Sequence, residues 1–100
     1  MKYVVVPSKR FLKRVQKHRK SGRKHILRAV AEVIELLSVH DDRSLYVLGT
    51  RWKDHALQGD KHGIRELHLS QDDLLLYEFD EQLKIVKLLD IVSHEELRKR

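Results

Sequence analysis

The chain has 100 residues, enough for one domain with a core of modest size, and we assign residues 1–100 to that domain. It contains no cysteine, which excludes disulfide bridges and thiolate metal sites. No apolar run approaches the roughly 20 residues that a membrane-spanning helix needs. The apolar stretch at the N-terminus is too short for the core of a signal peptide, so we expect a cytoplasmic protein.

Charge is distributed unevenly along the chain. Of the 21 lysines and arginines, 11 lie in residues 1–31, where no acidic residue occurs, and the other 10 share residues 32–100 with all 15 acids. The two parts carry formal charges of +11 and −5, which sum to the net charge of +6. Such a basic block suits an acidic partner, namely nucleic acid, an acidic protein or a membrane surface, and the alternative is a solvated helix face.

The first third of the chain predicts a strand and two helices. Residues 1–6 are typical of a short strand, and Ser8 is a favourable N-cap for a helix over residues 9–20. After a Ser-Gly break, an apolar stripe at helical spacing predicts a second helix over residues 23–38. We expect the two helices to form a hairpin that packs on one face of a sheet.

The first predicted helix has an apolar stripe and a basic face. Phe11, Leu12 and Val15 form the stripe. Basic residues occupy most of the other positions, so we expect this face to bind a polyanion, and its candidate RNA-binding residues are Lys13, Arg14 and Lys17.

Strands are predicted for the last third of the chain. Residues 40–63 show no periodicity and are typical of a long loop, part of which can be a short helix. Apolar segments at 64–69, 74–79 and 83–89 are separated by turns short enough to require antiparallel pairing, and a helical turn or frayed tail follows residue 93. The order β-α-α-β-β-β predicts an α+β fold, with a small antiparallel sheet and the N-terminal helical hairpin on one face.

A histidine and an aspartate lie four positions apart at the turn of the predicted β-hairpin. We expect Leu69 to pair near Leu74. His68 would then pair near Leu75, and Asp72 would lie in the turn, one step from the imidazole. A carboxylate beside an imidazole on the open face of a sheet suits acid–base catalysis, although ordinary surface polarity gives the same pattern.

Two further histidines, His55 in the loop and His94 near the C-terminus, can converge on the same sheet face. The chain has seven histidines, so most of them are incidental. Metal binding is the competing interpretation, but the candidate ligands match no recognised spacing, so we predict neither a metal nor another cofactor. Cleavage of RNA needs a base, an acid and cations around the phosphate, and His, Asp, Lys and Arg can supply all three without a metal.

Together with the order of elements, four segments resemble the RelE/ParE superfamily of toxins, and within it the YafQ branch. These segments are Lys53-Asp54-His55-Ala56-Leu57-Gln58-Gly59, Arg65-Glu66-Leu67-His68 with Asp72, Leu75-Leu76-Tyr77, and Ser93-His94. Members of this branch are ribosome-dependent endoribonucleases that cut mRNA in the ribosomal A site and are held inactive by a cognate antitoxin.

The resemblance implies a type II toxin that acts as a metal-independent mRNA endonuclease. The implied partners are the ribosome, mRNA and an antitoxin with which the toxin forms a hetero-oligomer. The implied catalytic residues are His55, His68, Asp72 and His94. Either His68 or Asp72 would be the base, His94 is the favoured acid, and His55 would orient substrate or stabilise charge. Three more cations are candidate phosphate contacts: Arg65, Lys87 and Arg98.

Two alternatives remain open. A ParE-like inhibitor of DNA gyrase would share the fold without cleaving nucleic acid, although the histidine–aspartate set favours the nuclease. An inactive, antitoxin-bound protein is the other alternative. It is favoured by Asp73 and Arg98, which stand where the branch commonly has aromatic residues. The segment 89–92 also looks two residues longer than in the branch, which affects the placing of His94.

Overall fold

The computed structural model describes residues 2–57 and 63–98, which form an α+β fold. Within these ranges there are five strands and four helices, in this order: β1 (Val4–Pro7), α1 (Lys9–Lys20), α2 (Lys24–Val39), α3 (Asp42–Arg51), β2 (His55–Ala56), β3 (Arg65–His68), β4 (Asp73–Asp80), β5 (Ile85–Ser93) and α4 (His94–Arg98). The α+β class and the N-terminal helical hairpin of α1 and α2 are confirmed. None of the described helices is both long and apolar enough to cross a bilayer.

The described strands form one mixed sheet in the order β1-β5-β4-β3-β2. The pairs β3–β4 and β4–β5 are antiparallel, as predicted. Strand β2 lies in the segment predicted as a loop and pairs antiparallel with β3, whereas β1 pairs with β5 in parallel. The expectation of a purely antiparallel sheet needs this correction. Short turns dictate the direction of successive strands only, whereas β1 reaches β5 across the whole chain.

The β3–β4 hairpin is shifted by one residue from the expected register. His68 pairs with Leu74 and Leu67 with Leu75, so the expected pairing of Leu69 with Leu74 is wrong. The reason is that β4 begins earlier than predicted, at Asp73. The backbone N–H of Leu69 donates to the Asp73 carbonyl oxygen at 2.8 Å and closes the turn.

The segment predicted as a long loop, residues 40–63, contains the helix α3. Its first turn has a reciprocal capping box: Asp41 accepts the Ser44 N–H at 2.8 Å, and the Ser44 hydroxyl accepts the Asp41 N–H at 2.9 Å. The sequence signal is weak because serine replaces the usual Glu or Gln and because Leu48 is the one buried apolar residue of this helix. Another part of the predicted loop, residues 58–62, lies outside the described residues.

The core lies between the helices and one face of the sheet. Its largest fully buried side chains come from α2, α3, β3, β4 and β5: Ile26, Val33, Leu37, Leu48, Leu67, Leu75, Tyr77, Val86, Leu88 and Ile91. A smaller cluster of Leu74, Leu76 and Val92 lies apart from this core. Because side chains alternate along a strand, this second cluster belongs to the sheet face that carries His68.

A β-bulge interrupts β5 just before the candidate site. The β4–β5 ladder passes from Leu76 opposite Asp90 to Tyr77 opposite Leu88, which leaves Leu89 without a partner strand residue. The bulge lies in the segment 89–92 that looks too long in the sequence. It also breaks the alternation of side chains, which explains why the third of the predicted C-terminal strands ends at residue 89 although β5 continues to Ser93.

Candidate active site

Three histidines from different elements lie side by side on the sheet face opposite helices α1, α2 and α3. His68 on β3 points away from the neighbouring core residues Leu67 and Leu69. Its ring centroid is 6.1 Å from that of His55 on β2 and 5.4 Å from that of His94, the first residue of α4. The sheet therefore brings together three histidines that are 13 and 26 positions apart in sequence.

Asp72 belongs to the same cluster, with His94 as its hydrogen-bonding partner. His94 Nδ1 lies 3.4 Å from Asp72 Oδ1, and both side chains are exposed. The sequence predicts Asp72 beside His68, as its neighbour in the turn. The correction follows from the ladder, because Asp73 pairs with Ser93 and so places the turn next to the start of α4.

Glu66 is a member of the site that the sequence patterns did not single out. Its Oε1 lies 2.7 Å from His55 Nε2, and the residue is 6% exposed. His55 Nδ1 lies 2.7 Å from the Lys53 carbonyl oxygen, which can only accept, so Nδ1 donates. The available signal was the alternation along β3, which places Glu66 on the same face as His68.

The surroundings of His68 favour its neutral form. Burial lowers the pKa of His68 below its ordinary value of 6.5, and the nearby His94, His55 and Lys53 lower it further, while Glu66 acts in the opposite direction. A neutral imidazole has a free nitrogen lone pair. His68 is therefore suited to accept a proton near neutral pH.

The same face offers a set of possible metal ligands. His55, Glu66 and His68 each have one ligand atom within 4.8 Å of the other two. The second carboxylate oxygen of Glu66 is buried and has no hydrogen-bond partner in the structure. Two imidazoles and a carboxylate are donors that suit Zn²⁺ and related ions. Ligand spacing in the sequence missed this set because the donors come from two paired strands.

Arg14, predicted to lie on the free basic face of α1, instead points toward the sheet. Its Nε is 3.3 Å from Asp90 Oδ1 and its Nη2 is 2.8 Å from Glu96 Oε2. Leu12 is 52% exposed, so the inward face of α1 runs through Phe11 and Arg14 rather than Leu12. The expectation that Arg14 lies off the packed face is wrong, because spacing alone did not distinguish positions i+1 and i+3 from Phe11.

The other predicted RNA-binding residues differ in their surroundings. Lys13 and Lys17 are exposed on α1. Arg65 donates twice to Asp54, at 3.1 and 3.3 Å, which makes it part of the support for the segment that carries His55. The two remaining cations, Lys87 and Arg98, are exposed, and the Lys87 ammonium is 3.9 Å from Glu78.

Solved structures with the same fold span almost the whole chain. A metal-bound toxin from Helicobacter pylori is 30% identical, with a TM-score of 0.79 over 95% of this chain and 98% of that one. The DinJ-YafQ toxin-antitoxin complex of E. coli matches with 24% identity and a TM-score of 0.75, over 97% and 98% of the two chains. The archaeal RelE-RelB complex from Pyrococcus horikoshii OT3 matches with 20% identity and a TM-score of 0.69, over 93% and 96%.

Family membership rests on the sequence. No curated protein sequence matches the chain. The family model for YafQ, described as a bacterial toxin of a type II toxin-antitoxin system, matches residues 3–99. That match covers the helical hairpin, the sheet and all four clustered residues, His55, His68, Asp72 and His94. The chain therefore belongs to the YafQ family of toxins of bacterial type II toxin-antitoxin systems.

Proposed function

We propose that this toxin is an endoribonuclease that cleaves mRNA in the ribosomal A site by metal-independent acid–base catalysis. The observation that carries the proposal is the row of His55, His68 and His94 along one sheet face, with Asp72 at its end. A gyrase inhibitor of the same fold has no need of such a row. RNA cleavage needs a base and an acid on opposite sides of one phosphate.

His68 is the proposed base and His94 the proposed acid. The lowered pKa of His68 keeps its ring neutral and able to take the proton of the RNA 2′-hydroxyl. His94 presents Nδ1 to Asp72, which leaves Nε2 free to protonate the departing 5′-oxygen. The 2′-oxygen then bonds to phosphorus as the bond to the 5′-oxygen breaks. The products are a 2′,3′-cyclic phosphate and a 5′-hydroxyl.

His55 and the nearby cations are the proposed stabilisers of charge. His55 bridges the Lys53 carbonyl and Glu66, which holds its ring in one orientation beside His68. Lys13 and Lys17 would contact ribosomal RNA from the exposed face of α1, and Lys87 and Arg98 remain candidates for phosphate. Arg14 and Arg65 are less suited to this role, because both have carboxylate partners within the fold.

The proposed partners follow from the family and from the named complexes. The E. coli and P. horikoshii relatives were solved as DinJ-YafQ and RelE-RelB complexes, and we infer that this toxin also binds a cognate antitoxin in a hetero-oligomer. Its site of action would be the cytoplasm, where translating ribosomes are found. The antitoxin would keep the enzyme inactive until it is released or degraded.

The test is cleavage of mRNA on programmed ribosomes by purified variants. His68→Ala and His94→Ala should each lower the cleavage rate by roughly 10²–10⁴-fold, the usual contribution of a general base or acid. His40→Asn is the control, because His40 is the C-cap residue of α2 and its ring contacts Tyr3 and Phe79, away from the row. Wild-type rates in both site variants would refute the assignment. Intact mRNA together with arrested DNA replication would favour the gyrase inhibitor.

A transition-metal ion is a second proposed ligand of the site, as an inhibitor. The unpartnered oxygen of Glu66 and the nearby rings of His55 and His68 support it, and the H. pylori relative is a metal-bound toxin. An ion held there would occupy the lone pair that His68 needs as a base. Cleavage should therefore survive EDTA and decrease with added Zn²⁺, and Glu66→Gln should weaken that inhibition. Loss of cleavage in EDTA would instead indicate a metal cofactor.

A further inference from the structure

An arginine from the helical hairpin forms an ion pair with the turn that carries Asp72. Arg23, the N-cap residue of α2, donates from Nη1 to Asp73 Oδ1 at 3.1 Å and from Nη2 to Asp73 Oδ2 at 2.8 Å. Two parallel bonds to one carboxylate form the bidentate geometry that gives arginine–carboxylate pairs both strength and direction. The Asp73 side chain is 11% exposed and the Arg23 side chain 37% exposed, so the carboxylate of this pair is largely shielded from water while the arginine is half-buried.

Asp73 in turn organises the backbone of the turn. The Ser70 hydroxyl donates to Asp73 Oδ2. The same hydroxyl oxygen accepts the N–H of Asp73 at 3.1 Å and the N–H of Asp72 at 3.3 Å. The backbone of Asp72 is therefore held by Ser70, Ser70 is held by Asp73, and Asp73 is held by Arg23.

Asp73 also adjoins the other member of the proposed acid pair. It is opposite Ser93 in the β4–β5 ladder, and Ser93 directly precedes His94. Asp72 is 72% exposed and His94 is 46% exposed, so little side-chain packing holds either one in place. Their separation of 3.4 Å consequently depends on the backbone junction at Asp73.

Arg23 does not stabilise the helix that it precedes. A cation at a helix N-terminus opposes the helix macrodipole, and Arg23 forms no side-chain capping bond there. Burial alone would raise the pKa of Asp73, but the hydrogen bonds from Arg23 and Ser70 hold it below its ordinary value. Asp73 is thus a buried carboxylate that stays charged because Arg23 faces it, and its contact with Arg23 explains the arginine better than helix stability does.

We propose that Arg23 is a positioning residue of the toxin, which clamps Asp73 and thereby sets the distance between Asp72 and His94. The inference rests on the proposed nuclease function, in which His94 is the acid. It also gives Asp73 a role: where the YafQ branch commonly has an aromatic residue, this chain uses an ion pair to hold the catalytic turn against the helical hairpin.

Single-turnover cleavage of ribosome-bound mRNA tests the proposal, because it separates the maximal rate from the toxin concentration that gives half of it. Arg23→Gln should lower the maximal rate by roughly 10-fold to 100-fold, the usual effect of misplacing a catalytic group by about 1 Å. The half-saturating concentration should stay within about twofold of wild type, since substrate binding is not the step affected. Arg23→Lys, which restores the charge without the fork, should recover part of the rate.

Arg28→Gln is the control, because it removes the same charge from an exposed position of α2 and should leave the maximal rate unchanged. A wild-type maximal rate in Arg23→Gln overturns the proposal. An effect confined to the half-saturating concentration also overturns it, because that result would mean that Arg23 binds RNA. Should circular dichroism show that Arg23→Gln is unfolded, Arg23→Lys decides: a reduced rate supports the clamp and a wild-type rate refutes it.

A second measurement separates this inference from the proposed function. The NMR signals of the His94 ring should shift in Arg23→Gln and remain in place in Arg28→Gln, whether or not the protein cleaves RNA. If neither the wild type nor any variant cleaves mRNA, the proposed function fails, and the shift of the His94 ring alone decides whether Arg23 positions it. An unmoved His94 signal in Arg23→Gln would then refute the clamp.

Discussion

At the scale of single residues, two neighbouring histidines of the site have different burial and different partners. His68 is partly buried among other rings, and that burial lowers its pKa. His94 is more exposed and has a carboxylate, Asp72, at hydrogen-bond distance. Two groups of the same type are thus placed in different surroundings, one partly shielded by neighbouring rings and one exposed beside a carboxylate. In the proposed reaction the shielded ring is the base and the exposed ring is the acid.

Three partly buried histidines also make the stability of the protein depend on pH. Burial lowers the pKa of His18, His40 and His68 below the ordinary value of 6.5. Between the lowered pKa and 6.5 the unfolded chain binds more protons than the folded chain, so the free energy of unfolding rises with pH in that window. Stability should therefore be highest above the window and should decrease as the pH falls through 6.5.

Urea unfolding at about pH 8 and at about pH 5 measures this effect, because the two values lie on either side of 6.5. The carboxyl of Asp73 behaves differently: its lowered pKa means that its contribution persists until the pH falls below 3.8. The decrease in stability just below neutrality should accordingly persist in Asp73→Asn and be smaller in His40→Asn. Equal stability at the two pH values would contradict the expectation.

At the scale of elements, α1 is joined to strand β5 by polar contacts as well as by packing. Ser8 caps α1 by accepting the Phe11 N–H at 3.0 Å, and its hydroxyl donates to the Leu89 carbonyl oxygen at 2.9 Å. Arg14, one turn further on, reaches Asp90 in the next position of β5. These contacts join the start of the basic helix to the bulge that precedes His94.

Arg14 should therefore contribute to stability, unlike its neighbour Lys13. Arg14→Gln removes a cation that lies 3.3 Å from Asp90, whose side chain is 2% exposed, and should lower the free energy of unfolding by about 2 kcal/mol. The loss stays below that of a fully isolated buried charge, because Arg10 remains 3.9 Å from Asp90. Lys13→Gln should change stability by less than about 0.5 kcal/mol, as exposed substitutions usually do. Equal effects in denaturant titrations would refute the distinction.

At the scale of the whole molecule, the basic N-terminal third is not one uniform surface. Arg14 and Arg23 are used within the fold, where they pair with Asp90 on β5 and with Asp73 in the turn that carries Asp72. Lys13 and Lys17 remain exposed on α1 and are better placed to meet a polyanion. The formal charge of +11 in residues 1–31 therefore overstates the number of cations that are available to an external polyanion.

Replacing Lys13 and Lys17 together with Gln should weaken ribosome binding without weakening the fold. For each phosphate that the variant no longer neutralises, the log–log salt dependence of binding should fall by roughly 0.7 to 0.9. Binding is measured at several salt concentrations, with Lys24→Gln, an exposed charge loss on α2, as the comparison. An unchanged slope in the double variant would show that this face of α1 is merely solvated.

Features that depend on neighbouring residues were predictable from the sequence. The spacing of apolar residues predicted α1 and α2, the alternation around His68 predicted β3, and short turns predicted the antiparallel order of β3, β4 and β5. Local segments around His55 and His68 also indicated the family, which the match over residues 3–99 confirms. These signals are local because helix and strand periods, caps and turns involve residues a few positions apart.

Contacts between distant segments became visible in the tertiary structure alone. The parallel pairing of β1, the placing of Asp72 beside His94 and the approach of Glu66 to His55 each follow from the register of the sheet. A shift of one residue in register reverses the face on which a side chain lies, and no local pattern resolves it. The roles of Arg14 and Arg23 could not be predicted for the same reason. Their carboxylate partners, Asp90 and Asp73, are 76 and 50 positions away in sequence. The basic block therefore indicated that the two residues are cations and did not indicate which carboxylates they bind.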